Sequence, residues 1–224
     1  SRARRAFVMA TGIDALGSAI QERLDLKNGR RETIMGLSRL LVQHAARAIR
    51  AVHRAEWTEA GETLVEARDL VKRMHHAAEG HPDLQAAGYM LDAQKEFAEA
   101  HLTLALCRGE PLPGPQDLSV DDASWLNGLG EAAGELRRGA LDRIRAGDVA
   151  AAEELLGRMQ EIYTLLTAFD YPAVITRNLK QTTDMVRGVT ERTRGDLTVA
   201  AGQEQLKAAL SDFAARVAPR PERR

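Results

Sequence analysis

The sequence predicts an all-α fold, a single-domain antiparallel bundle of about six to seven helices spanning residues 1–218. Three observations predict it. The composition leans on Ala, Leu, Arg and Glu, all strong helix formers. β-branched residues are sparse and seldom alternate with polar ones, which leaves little from which to build half-buried strands. In segment after segment the apolar residues recur at steps of three and four, the period of one helix face.

The elements follow in order. Phe7, Ile13, Leu16, Ile20 and Leu24 step in this way, and Ile34, Leu37, Leu41, Ala45, Ala48, Ile49 and Val52 continue the stripe from Arg31 to His53. Asn28-Gly29 between them is compatible with a break or with one uninterrupted helix. A second helix runs from about Thr58 to His76, with Leu64, Ala67, Leu70, Val71 and Met74 inward, and ends at Gly80-His81-Pro82, a helix-stop and helix-start signature. A third is expected from Pro82 to Cys107, closed by the proline-rich loop at 111–115. Ser119 or Asp121 caps a fourth helix, whose stripe is Trp125, Leu129, Ala132, Leu136, Ala140 and Ile144. Gly147-Asp148 separates it from a fifth helix, Val149 to Phe169. After Tyr171-Pro172 a sixth runs to about Arg194, and Gln203 to Val217 forms a last amphipathic segment before a frayed polar tail at 219–224. Short connections make these helices antiparallel neighbours.

A chain of 224 residues can bury a sizeable core without disulfides or a structural metal. Its one cysteine, Cys107, excludes an internal disulfide and reads as a small buried hydrophobe. No apolar run approaches the ~18 residues of a membrane span, and no signal-peptide core follows the basic start, so no membrane role and a cytoplasmic location are expected. The 31 Lys and Arg residues nearly balance 32 Asp and Glu, which excludes a globally basic nucleic-acid coat and leaves room only for a local track.

The residues most able to carry chemistry are carboxylates. Asp92, Glu96 and Glu99 share one face of the third helix; Glu131 and Glu135 share one face of the fourth, beside its apolar stripe. If the two helices are neighbours, Glu96, Glu99, Glu131 and Glu135 converge, and such convergence requires a cation, a shared proton or solvent. Oxygen ligands on a rigid frame suit Mg²⁺ or Mn²⁺, ions that activate water at a phosphodiester. A Glu-rich face is otherwise ordinary solvated surface. A ferritin-like di-iron centre is excluded, because no Glu stands three residues before any of the six histidines. His75, His76 and His81 read as solvated or capping residues rather than zinc ligands.

The motifs resemble a known family. Arg30-Arg31-Glu32-Thr33, Leu37-Ser38-Arg39 and 48–54 (AIRAVHR) are similar to the first conserved helix of the translin/Trax superfamily. Val120-Asp121-Asp122, Gly134-Glu135-Leu136-Arg137-Arg138 and Ala146-Gly147-Asp148 resemble its central block, and 189–195 (VTERTRG) resembles the end of its long late helix. The resemblance implies a translin-like helical fold and, for the Trax-like branch, a Mg²⁺-dependent endoribonuclease site. Gln94-Lys95-Glu96-Phe97-Ala98-Glu99-Ala100 looks like the branch's first acidic stretch with one extra residue between Gln and the first Glu. Glu135 matches its last acid, and Glu131 stands where Trax carries Asp. The resemblance therefore assigns metal binding and catalysis to Glu96, Glu99, Glu131 and Glu135. It also implies self-association into a closed oligomer, often of eight subunits.

Arg30, Arg31, Arg39, Arg47, Arg50, His53 and Arg54 come from one helix, and Arg137 and Arg138 flank Glu135; as a group they form a candidate phosphate track for single-stranded RNA or DNA. Few aromatics are present to stack bases; Trp57, Trp125, Tyr89, Tyr163 and Tyr171 are the candidates. Two other readings are a non-catalytic translin-like RNA-binding oligomer, for which Glu131 leaves room, and a helical protein that binds only partner proteins.

Overall fold

The computed structural model describes residues 2–217, with side-chain surroundings from residue 12 onward; the tail expected at 219–224 lies outside the described residues. The fold is all-α, and no strand occurs among those residues. Six long helices carry the architecture: α1 (Arg2–His53), α2 (Trp57–Ala77), α4 (Gly88–Arg108), α6 (Asp122–Arg145), α7 (Val149–Leu166) and α9 (Leu179–Val217). Single-turn helices α3 (Pro82–Gln85), α5 (Pro115–Leu118) and α8 (Ala173–Thr176) sit in the connections. No described helix is long and apolar enough to cross a membrane.

The helices α4 and α6 form the centre. α1 packs on α2 and α4, while α6 packs on α4, α7 and α9. Apolar residues lie on nearly every side of α4, and Met90, Phe97 and Leu102 are fully buried. Polar groups carried by such a helix are consequently drawn into the interior. Asp121 caps α6, its side chain accepting the Ser124 N–H at 3.0 Å, and Asp148 caps α7 through the Ala151 N–H at 3.1 Å.

Glycines let α6 lie unusually close to both neighbours. A Cβ on Gly128 would stand 2.7 Å from the Lys95 carbonyl oxygen and 3.0 Å from the Glu99 nitrogen, both backbone atoms of α4. A Cβ on Gly130 would stand 2.2 Å from Thr182 Cγ2 of α9. Two residues apart, these glycines bring α6 against α4 and α9 at the same level.

Three boundaries differ from the expected ones. The helix expected from Pro82 to Cys107 is divided, because Ala87 is extended (φ −69°, ψ 137°) and the chain turns there, so that Leu84 and Met90 both reach the core. The sixth and seventh segments are one helix: α9 runs unbroken through Gly195 and Gly202, since an isolated glycine weakens a helix by about 1 kcal/mol without compelling it to end. The break falls earlier, at Arg177 and Asn178, whose φ values are 52° and 62°. Asn28-Gly29 does not interrupt α1.

α1 and α9 also project beyond the packed body. Ile13, Leu16, Ile20 and Leu24 on α1, and Val199, Leu206, Leu210 and Phe213 on α9, keep the helical spacing of a buried stripe yet are exposed.

A candidate carboxylate centre between two helices

Where Gly128 brings α6 against α4, the side chains one turn along each helix must share the seam. Glu96 and Glu99 come from α4 and Glu131 from α6, and each presents an oxygen within 4.8 Å of the others. Glu99 is 7% exposed and forms no ion pair among the described residues; Glu96 and Glu131 are half-buried. Burial, reinforced by the charges of Glu131, Glu96 and Glu135, pushes the Glu99 carboxyl up to about 9. A carboxylate so placed takes a proton unless a cation replaces it.

The cation present in the seam is the chain's own. Lys95 Nζ donates to Glu131 Oε1 at 2.5 Å and lies 3.2 Å from Glu96 Oε1. Burial works against the ammonium, but Glu131 and Glu96 outweigh it and hold Lys95 above its ordinary range. Three carboxylates and one ammonium leave two negative charges when all are ionised, so the seam is short of positive charge. With hard oxygens from two rigid helices, the donor set suits Mg²⁺ or Mn²⁺.

Glu135 is held apart from this cluster. One turn beyond Glu131, its Oε2 is bound by Nε2 of His53, the last residue of α1. The hydrogen bond to His53 keeps the Glu135 carboxyl below its ordinary range despite partial burial, and Arg138 adds to the effect. Its charge still reaches Glu99. Asp92, on the same α4 face, is drawn away by Arg177 at 2.6 Å.

The expected phosphate track divides. Arg39, Arg50 and Arg138 are exposed and form no ion pair among the described residues. Arg39 and Arg50 fall on the solvent face of α1 at about 100° per residue, and Arg138 follows Glu135 by about one turn on α6. Arg30 lies on another side of α1, donating to the Ala77 carbonyl at the end of α2 at 3.1 Å. Arg31 pairs with Glu32 at 2.6 Å, Arg47 with Glu59 at 3.0 Å and Arg54 with Glu56 at 2.5 Å. Arg137 holds Asp196 of α9 at 2.8 Å, and His53 serves Glu135. Of the five candidate stacking residues only Tyr171 is exposed, and Trp125 donates to the Pro113 carbonyl at 2.9 Å.

The other titratable candidates are occupied or inert. Burial, with a smaller contribution from Arg68, pushes His101 down to about 4, edge-on to Phe97. Burial pushes the Cys107 thiol up to about 11. His75 Nε2 bonds the Ser119 carbonyl at 2.8 Å.

Sequence reasoning missed two participants. Lys95 stands four residues before Glu99, a spacing that puts both on one side of α4 and could have flagged it. The pairing of His53 with Glu135, 82 residues apart, left no local signal.

Fold and seam together define a helical bundle with an acidic centre between its two central helices. No protein-family model matches the chain. The chain is 31% identical to AfC3PO in a complex with duplex RNA, with a TM-score of 0.74, covering 83% of this chain and 96% of that one. To AfC3PO solved as such it is 30% identical with a TM-score of 0.78, covering 83% and 97%. Apo-NeC3PO, at 18% identity and a TM-score of 0.74, shares the fold. An uncharacterized protein of Methanocaldococcus jannaschii is 30% identical over 173 residues, 76% of each chain. The chain belongs to the translin superfamily, to which the C3PO proteins belong.

Proposed function

We propose that the chain is a divalent-metal-dependent endoribonuclease of the Trax-like, catalytic type. The observation that carries this reading is the convergence of Glu96, Glu99 and Glu131 around a buried carboxyl that takes a proton unless a cation is supplied. Glu96, Glu99 and Glu131 would hold Mg²⁺ or Mn²⁺, with Glu135 at the edge of the set. Such an ion, when bound, lowers the pKa of water and offsets charge at a phosphodiester.

The chain's own groups do the rest. Glu99 is held by burial in α4, and Glu131 is positioned by the contact at Gly128. Glu135, kept ionised by His53, offers Oε2 as the acceptor for a proton released beside the cluster. His53 orients that carboxylate by donating its Nε2–H to Oε2. Arg138, Arg39 and Arg50 supply free positive charge for phosphates, so affinity depends on salt rather than base sequence.

The substrate class is RNA. Single-stranded RNA is the expected form, with single-stranded DNA as a further ligand, and AfC3PO has been solved with duplex RNA. We read the protein as cytoplasmic and as a closed oligomer, up to an octamer. The exposed stripes of α1 and α9 offer apolar surface for contact between copies.

Lys95 inside the cluster favours one other reading, a non-catalytic RNA-binding member whose seam is permanently ion-paired. One assay separates the two. Labelled single-stranded and duplex RNA are incubated with the protein in Mg²⁺ or EDTA, alongside Glu99→Gln. Cleavage that requires Mg²⁺ and falls at least ~100-fold in the variant supports the nuclease. Salt-dependent binding without cleavage establishes the silent module.

A further inference from the structure

We infer that Lys95 is a resident counter-ion that a divalent cation must displace to enter the carboxylate seam, so that this residue sets how tightly the seam binds metal. The inference rests on the reading of Glu96, Glu99 and Glu131 as metal ligands and goes beyond it by assigning a role to a residue outside that set.

The geometry makes the two cations competitors. Lys95 Nζ sits 2.5 Å from Glu131 Oε1, an oxygen of the cluster, and 3.2 Å from Glu96 Oε1. A Mg²⁺ ion binds a carboxylate oxygen at roughly 2.1 Å, which would put the ion and an unmoved ammonium within about 4.6 Å of each other. Two like charges that close repel strongly inside a partly buried seam. Both cations also draw on the same oxygen lone pairs.

The side chain has somewhere to go. Lys95 is 21% exposed, unlike Glu99 beside it, and its flexible stem can carry the ammonium from the seam to solvent while the α4 backbone stays against Gly128. Glu99 cannot make the reciprocal move. Buried, with no ion-pair partner among the described residues and with an oxygen in the cluster, it is the group that a metal would serve and Lys95 does not reach. The seam therefore has one arrangement with Lys95 on Glu131 and Glu96, and would have a second with a divalent ion held by the carboxylates and Lys95 outside.

The test is a Mn²⁺ binding isotherm, read as free Mn²⁺ by electron paramagnetic resonance at fixed pH and ionic strength, on the full chain and its Lys95→Met, Lys95→Arg and Glu99→Gln variants. Lys95→Met is expected to bind Mn²⁺ at least about tenfold more tightly than the unaltered chain, because the competing charge is gone. Lys95→Arg, which keeps that charge, is expected within about threefold of it. If Lys95→Met does not fold, Lys95→Gln carries the same expectation. Mn²⁺ binding that Glu99→Gln weakens but Lys95→Met leaves unchanged or weaker overturns this inference and spares the metal site. Absence of Mn²⁺ binding in every variant overturns both.

Discussion

Two seams meet on α6, and they treat their carboxylates in opposite ways. Against α4, three carboxylates converge with one ammonium that reaches only two of them, and the third and most buried, Glu99, is pushed up to about 9. Against the end of α1, a single carboxylate meets a single imidazole, and Glu135 is held below its ordinary range. Residues four apart on one helix thus sit in a seam short of positive charge and in one that is satisfied. The difference teaches that the acidic residues are not one uniform set of four. One seam costs stability until a cation arrives, and the other contributes stability as it stands.

The largest expected effect comes from forcing the first seam open. In Gly128→Ala the new methyl meets backbone atoms of α4 at 2.7 and 3.0 Å, which cannot rotate away. Overpacking of this kind costs about 1–3 kcal/mol, and a shift of about 1 Å at reacting groups can cost on the order of 100-fold in rate. Cleavage and Mn²⁺ binding should both collapse while the His53–Glu135 contact persists. Gly157→Ala, where nothing lies within 4 Å, should leave both intact and keep thermal stability equal or slightly higher. Equal behaviour of the two variants would remove the claim that Gly128 sets the seam.

Next in size is the pH response of the metal-free fold. The Glu99 carboxyl keeps its proton in the folded chain up to about pH 9, whereas an ordinary Glu releases it near 4.5. The folded state therefore binds more protons between those values, and stability falls as pH rises from about 4.5 to about 9. Glu135 has the reverse sign. Its contribution is present above the ordinary carboxylate value and is lost as pH falls through the lowered one. Thermal melts in EDTA from pH 3 to 10 should show Glu99→Gln flattening the upper limb, with a gain on the order of 1–3 kcal/mol at pH 8, and Glu135→Gln flattening the acid limb. A Glu99→Gln curve parallel to the unaltered one between pH 5 and 9 would contradict the contrast between the seams.

How much of this was legible in the sequence depends on the range of the interaction. The helices were readable because periodicity is local, and α2, α6 and α7 begin and end within a few residues of expectation. The convergence of Glu96, Glu99 and Glu131 was readable once α4 and α6 were taken as neighbours, because helical spacing then fixes the faces. What spacing could not give was partition: whether Glu135 joins its neighbour four residues earlier or turns to α1 depends on where His53 ends up. Lys95 is a related case, since a lysine beside acids is ordinary on a surface and becomes specific only once Gly128 shows how close the helices are. The continuity of α9 was missed because glycine weakens a helix without dictating its end.

The smallest effect concerns the arginines of α1, one helix whose positive charges have different employment. Arg39 and Arg50 are exposed and unpaired among the described residues, while Arg30 satisfies a carbonyl at the end of α2. If RNA phosphates use the first kind, Arg39→Ala and Arg50→Ala should each lower the slope of log affinity against log salt by about 0.7–0.9. Arg30→Ala should leave that slope unchanged and cost about 0.5–1.5 kcal/mol of stability through the lost hydrogen bond. Fluorescence-anisotropy titrations of labelled RNA at several salt concentrations read the first quantity, and thermal melts read the second. A slope unchanged by both exposed-site variants would move the phosphate track off α1 and leave Arg138, whose charge already reaches Glu135, as the cation that brings RNA to the seam.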